Sequence, residues 1–166
     1  MAHQVALRVL HDSESYCIRE AAPDEVEPLL KMFKKDMSKK WVDQYHDLPG
    51  KKFALVAVDK ETNKVIGGIE RVVDFDTGSA TGVGFAVLKD FRRRGIGATL
   101  LKVMDDELRN MGVTRVTTVP ASKNAAEFLK ENGYEYEEFI KSFLAATGKR
   151  NVALYGFDAF KMKKYL

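Results

Sequence analysis

The chain has a single cysteine, Cys17, among 166 residues, so it can close no internal disulfide and no cysteine pair can grip zinc. A reducing compartment fits that usage, with Cys17 expected as a small buried hydrophobe. No window approaches the about 18 uncharged apolar residues of a membrane helix. The start, "MAHQVALRVLHDSESY", lacks the cationic opening and the apolar run of roughly 7 to 15 residues that export requires. The expectation is a cytoplasmic protein with no membrane partner. Excess charge of one sign is also scarce: 27 basic against 24 acidic side chains give a formal +3, and the signs are mixed along most of the chain. That balance offers little to nucleic acid. With neither linker nor repeat in view, residues 1–166 read as one domain, its core large enough to stand without disulfide or metal.

Three of the four prolines, Pro23, Pro49 and Pro120, act as punctuation. "YCIREA" reads as a strand, and a helix beginning near Ala22 or Pro23 follows, with Val26, Leu29, Leu30 and Phe33 on one face. "DMSKKWVDQYHDL" places Met37, Trp41, Val42 and Tyr45 close to one side before Pro49-Gly50 ends it. Three strands with short reversals come next, over 53–59, 65–75 and 80–88, and they read as antiparallel neighbours. Helix 97–111 carries Leu101, Met104, Leu108 and Met111 on a stripe and closes at Gly112. "VTRVTTV" is a strand stopped by Pro120, and a short helix capped by Ser122 runs to Gly133. Residues 1–14 are either a weak extended piece or a peripheral, loosely attached segment. The last third suggests two long strands around a turn. This order belongs to the α/β (α+β) class: one mixed, mostly antiparallel sheet flanked by helices.

The chemistry concentrates in "VLKDFRRRGIGATLL". A helix start leaves backbone N–H groups without intrahelical acceptors and carries a positive partial charge, so it favours an anion. Gly95 and Gly97 clear the approach to those amides, and Arg92, Arg93 and Arg94 stand ready to neutralise charge at the rim. An ordinary solvated strand-to-helix connection is the competing explanation of the same residues. No "GxxxxGK[ST]" or three-glycine "GxGxxG" is present, so neither a phosphate-loop nucleotidase nor a dinucleotide dehydrogenase is supported.

The stretch resembles the coenzyme A signature of the GNAT superfamily of N-acetyltransferases, with Arg92, Gly95 and Gly97 on its fixed positions. "NAAEFLKENGY" and "DAFKMKKYL" also look like that family's later elements. The resemblance implies that acetyl-CoA lies between the fourth and fifth major strands, which part at a bulge in "GFAVL". Backbone groups near Phe85 and Val87 would pair with pantetheine, and the pyrophosphate would rest on amides from Arg93 through Gly95, Ile96 and Gly97 to Ala98. Asn124 would approach the pantetheine arm, or serve as an ordinary first-turn helix residue. Phe128 would pack near the thiol, or in the core. No metal is implied.

The reaction implied is direct attack of an amine on the thioester, with the Val87 amide polarising the carbonyl. The tyrosine with which many relatives protonate sulfur is replaced here by Leu129. Tyr136 is then the candidate acid, with Tyr134 expected as a buried aromatic. Some relatives use a strand glutamate where this chain has Thr81, so Glu70 becomes the candidate base, opposed by the reading of an ordinary sheet glutamate. His3, His11 and His46 join no recognisable constellation. Segments 32–50 and 138–155, with Trp41, Tyr45, His46, Phe139, Phe143 and Tyr155, would wall the acceptor site, fill the core, or contact a second copy in a possible homodimer. The acceptor is a small-molecule amine or a peptide amine. The alternative is a non-catalytic coenzyme A binding module of the same fold.

Overall fold

β-Branched and aromatic residues crowd the middle of the chain, and there the computed structural model, which describes residues 7–137 and 161–166, has its longest strands. β3 (Lys51–Asp59), β4 (Val65–Asp74) and β5 (Ser79–Val87) are antiparallel neighbours, as two-sided burial and short reversals require. β2 (Tyr16–Glu20) pairs with β3. β1 (Val9–Asp12) pairs with β2, so part of the first 14 residues forms the sheet's edge strand rather than a loose extension.

On the other side of β5, β6 (Arg115–Thr118) runs parallel to it. β8 (Met162–Tyr165) lies between β6 and β7 (Glu135–Tyr136). The two long final strands expected from the sequence are thus represented by these short pieces. Residues 138–160, including Phe139, Phe143 and Tyr155, lie outside the described residues.

The first helix starts later than Pro23. A 3-10 turn at Pro23–Glu25 precedes α1 (Val26–Phe33), because the Glu25 carboxylate accepts from the Ala22 amide at 2.8 Å and pairs with Arg19 at 2.6 Å. α2 (Lys39–His46) follows. Leu29, Leu30, Phe33, Val42 and Tyr45 bury one face of this pair on the sheet, against Val56, Val72 and Val83. Cys17 is half-buried at the border of this cluster, not fully enclosed. The opposite sheet face carries α3 (Ile96–Asn110) and α4 (Lys123–Glu131). Leu100, Leu101, Met104 and Leu108 of α3 are essentially inaccessible there, each such side chain being worth about 1.5–3 kcal/mol of burial.

β5 is the pivot. It pairs with β4 from Asp74↔Ser79 to Gly67↔Val87, but with β6 only over Ser79↔Arg115, Ala80↔Val116 and Thr81↔Thr117. The register against β4 slips between Glu70↔Gly84 and Arg71↔Gly82, which makes Val83 the extra residue of a bulge. The bulge therefore sits just before "GFAVL", not within it. Gly84 lets the bulged strand meet α1, for a Cβ there would fall 2.3 Å from the Phe33 ring.

Candidate acyl-carrier cleft

Where β5 and β6 part, a cleft of about 700 Å³ opens between them and the starts of α3 and α4. Antiparallel pairing alternates the direction of backbone groups. The Leu88 amide donates to the Ile66 carbonyl at 2.8 Å, so Gly67↔Val87 is a pair whose amides and carbonyls point away from each other. Val87, and by the same alternation Phe85, turn theirs toward the cleft. β6 offers these groups no partner, its pairing having ended at Thr81↔Thr117. The Val87 carbonyl has a partner nonetheless: the Arg92 guanidinium donates to it through Nε at 2.8 Å.

Gly95 adopts φ 78° and is the N-cap of α3, with no side chain capping the helix. The first bond of the helix ladder runs from the Thr99 amide to the Gly95 carbonyl at 3.1 Å, so helical geometry leaves the Ile96, Gly97 and Ala98 amides without intrahelical acceptors. All three residues line the cleft. This is the anion-binding arrangement. Left-handed backbone is free for Gly95 but strained for Arg93, at φ 65°. Arg92 and Arg93 line the cleft. Arg92 is anchored to Val87 and reaches Asp36 at 3.3 Å, while Arg94 lies over the Phe91 ring at 5.1 Å and does not line the cleft. The three arginines thus do different things, where the sequence presented them as one rim.

Phe85 and Phe128 stack at 5.5 Å between ring centroids. Gly97 faces them: a Cβ there would sit 3.1 Å from Phe85 Cζ and 3.6 Å from Phe128 Cζ. Asn124 is on the first turn of α4, whose N-cap Ser122 accepts from the Ala125 amide at 3.1 Å, and both Asn124 and Phe128 line the cleft. Leu129 lines it as well, with no proton to give.

The proposed acid and base lie elsewhere. Tyr136 is buried on β7 under the Lys130 ammonium, 5.3 Å from its ring centre; burial pushes its hydroxyl pKa up, and it does not line the cleft. Tyr134 donates to Asp105 at 3.0 Å, and burial raises it to about 12. Glu70 is on the α1/α2 face, 1% exposed, and His46 Nδ1 lies 2.6 Å from its Oε2. Burial raises the Glu70 pKa, and His46 opposes that rise. Neither residue lines the cleft, but Glu70 is paired across the bulge with Gly84, which does.

Sequence reading missed His46 as a partner of Glu70, because only the packing of α2 on the sheet joins residues 24 positions apart. It also missed Arg71, a buried wall residue of the cleft hidden in an apolar run. Among the described residues no cluster of His, Cys, Asp and Glu is placed to hold a metal ion, and no helix is long and apolar enough to cross a membrane.

A mixed sheet that parts beside an uncapped helix start is a fold shared with solved acetyltransferases. The Acetyltransferase (GNAT) family model matches residues 18–134, and the chain belongs to that family. Over 69 residues the chain is 33% identical to the tRNA(Met) cytidine acetyltransferase TmcA of Aeropyrum pernix, a match covering 42% of this chain and 10% of that protein. The chain therefore spans a small part of that relative's length. A GNAT family acetyltransferase from Elizabethkingia anophelis, solved with acetyl-CoA bound, superposes with TM-score 0.64 at 17% identity over 93% of this chain and 100% of the other. N-acetylglutamate synthase from Neisseria gonorrhoeae, complexed with coenzyme A and N-acetyl-glutamate, gives TM-score 0.60 at 14% identity over 93% of this chain and 36% of the other. At these identities the superpositions show a shared fold.

Proposed function

We propose that the protein transfers an acetyl group from acetyl-CoA to a primary amine of a small molecule or peptide by direct attack. The observation that carries this reading is the uncapped start of α3, whose Ile96, Gly97 and Ala98 amides open into the same cleft as the edge of β5 that β6 leaves beyond Thr81. A diphosphate matches the first feature and an extended pantetheine amide chain the second. When bound, acetyl-CoA supplies the activated acyl group. Arg93 and the α3 amides hold its charge, Phe85 and Val87 pair with its arm, Asn124 orders the arm or the next loop, and the stacked Phe85 and Phe128 flank it. The Val87 amide faces the cleft where a thioester carbonyl needs a donor.

In the transfer the amine nitrogen bonds the acetyl carbon and the carbon–sulfur bond breaks. One proton leaves nitrogen, and one reaches the departing sulfur. Glu70 is the base of this reading, acting through His46: the carboxylate fixes one ring nitrogen and leaves the other to take a proton by way of water. Tyr136 is buried away from the cleft, so solvent is the better source of the proton for sulfur. A smaller hollow of about 60 Å³, lined by Trp41, Tyr45 and Gly82, adjoins the cleft at Met37 and Val119 and is the acceptor's entry. The Trp41 and Tyr45 rings stack there at 5.9 Å, a surface suited to a cation.

Leu129 in the cleft wall favours a second reading, a coenzyme A binding module without turnover. An amine-library assay with acetyl-CoA that reports free thiol and product mass separates the two. Acetylated product with stoichiometric thiol supports the enzyme; saturable cofactor binding with no product leaves only the module.

A further inference from the structure

Arg71 is 2% exposed and is the largest fully buried side chain among the described residues. Its place follows from the bulge. Arg71 is opposite Gly82 on β5, and a Cβ on Gly82 would fall 3.0 Å from Arg71 Nη1 and 2.4 Å from Thr118 Oγ1. Gly82 and Thr118 are the first residues after the last β5–β6 pair, Thr81↔Thr117. The guanidinium therefore passes across a side-chain gap to the point where the two strands separate, and both Arg71 and Thr118 line the cleft there. The acceptor hollow reaches the same Gly82.

We propose that the inner end of the cleft is a carboxylate subsite centred on Arg71, so that one of the two reacting molecules carries a carboxylate.

The case rests on the partners Arg71 has. Its Nη1 donates to the Glu70 carbonyl at a long 3.4 Å, the neutral Tyr134 hydroxyl is within its hydrogen-bonding reach, and its buried Nε has no partner among the described residues. Among the described residues it forms no salt bridge. Asp105, the carboxylate that shares the Tyr134 hydroxyl, is engaged by that hydroxyl at 3.0 Å and by the Lys164 ammonium at 2.9 Å. A guanidinium held out of water without a counter-ion is costly, and its planar fork fits a carboxylate with two parallel bonds. A carboxylate bound where Arg71 lines the cleft would neutralise the charge and take the fork's remaining donors. The same cation disfavours an acceptor that is only positive. The carboxylate belongs either to the acceptor, as in an amino acid, or to the acyl group of a dicarboxylic thioester.

This inference rests on the carrier-binding reading, so the experiment separates the two. Calorimetry on the full chain first measures free coenzyme A. In one arm malonyl-CoA and succinyl-CoA are compared with acetyl-CoA and butyryl-CoA. In the other, with coenzyme A saturating, amino acids are compared with their carboxamides. The expected result is a preference of about tenfold or more for the carboxylate in one arm. In Arg71→Gln that preference disappears while free coenzyme A still binds saturably. Arg71→Lys, which keeps the charge but loses the fork, shows a reduced preference and serves if the glutamine variant does not fold. Coenzyme A binding with no carboxylate preference in either arm, or a preference that survives in Arg71→Gln, overturns the subsite alone. Absence of coenzyme A binding overturns the carrier reading beneath it.

Discussion

The two edges of β5 are paired very unequally. Against β4 the strand is paired from Ser79 to Val87; against β6 it is paired for three residues and then released. The first edge builds the core and the second builds the site. Unpaired backbone groups in a buried setting are costly, and on the proposed function the carrier's arm would complete the ladder at this open edge. The contrast extends to the neighbours Glu70 and Arg71 on β4, which alternation sends to opposite faces. Glu70 meets His46 under α2, whereas Arg71 meets the inner end of the cleft.

The largest effect should come from disturbing the paired side. Met104 is fully buried on α3, and Met104→Ala should cost about 2–5 kcal/mol of unfolding free energy by denaturant titration. A loss under about 1 kcal/mol would mean that α3 is not anchored by this stripe.

Glu70→Gln comes next and acts on chemistry: turnover should fall about 100-fold with little change in the KM for acetyl-CoA. The raised pKa of Glu70 gives a sign. Between the ordinary carboxylate pKa and its raised folded value the native state binds more protons than the unfolded chain, so stability falls as pH rises through that window. Glu70→Gln should remove this fall, seen as a flatter dependence of Tm on pH, while also removing the rising limb of the kcat profile. A His46→Gln variant that keeps that limb would detach the histidine from the base.

At the open edge, Gly97→Val should weaken acetyl-CoA binding about tenfold, or ~1.4 kcal/mol, because its side chain enters the space beside Phe85 and Phe128. Smallest is Gly95→Ala. Nothing lies within 4 Å of the Cβ position, so only the left-handed backbone resists, at about 1 kcal/mol. A neutral result in thermal unfolding would show that the turn relaxes around alanine.

The paired half of this contrast was readable from sequence and the open half only in outline. β3, β4 and β5 declared themselves through dense Val, Ile and Ala between short polar turns, and α3 through its apolar stripe and Gly112. Gly95 and Gly97 were visible because glycine marks close approach. The bulge was misplaced, since the slip at Val83 depends on how Phe33 packs over Gly84, a contact between residues far apart in the chain. The Glu70–His46 pair and the buried Arg71 were hidden for the same reason: local pattern reports which face a residue takes, not what stands on that face. Residues 9–12 were too short a pattern to show that β2 would claim them. Arg92 looked like a rim charge until the structure joined it to the Val87 carbonyl.

Amide hydrogen exchange read by NMR, with and without acetyl-CoA, tests the central claim most directly. The account predicts that the Phe85, Val87, Ile96, Gly97 and Ala98 amides exchange quickly in the free protein and become protected together when the cofactor is added, while the Gly68 and Leu88 amides on the β4 side are slow throughout. Protection of those five already present without cofactor, or no change on saturation with it, would contradict it.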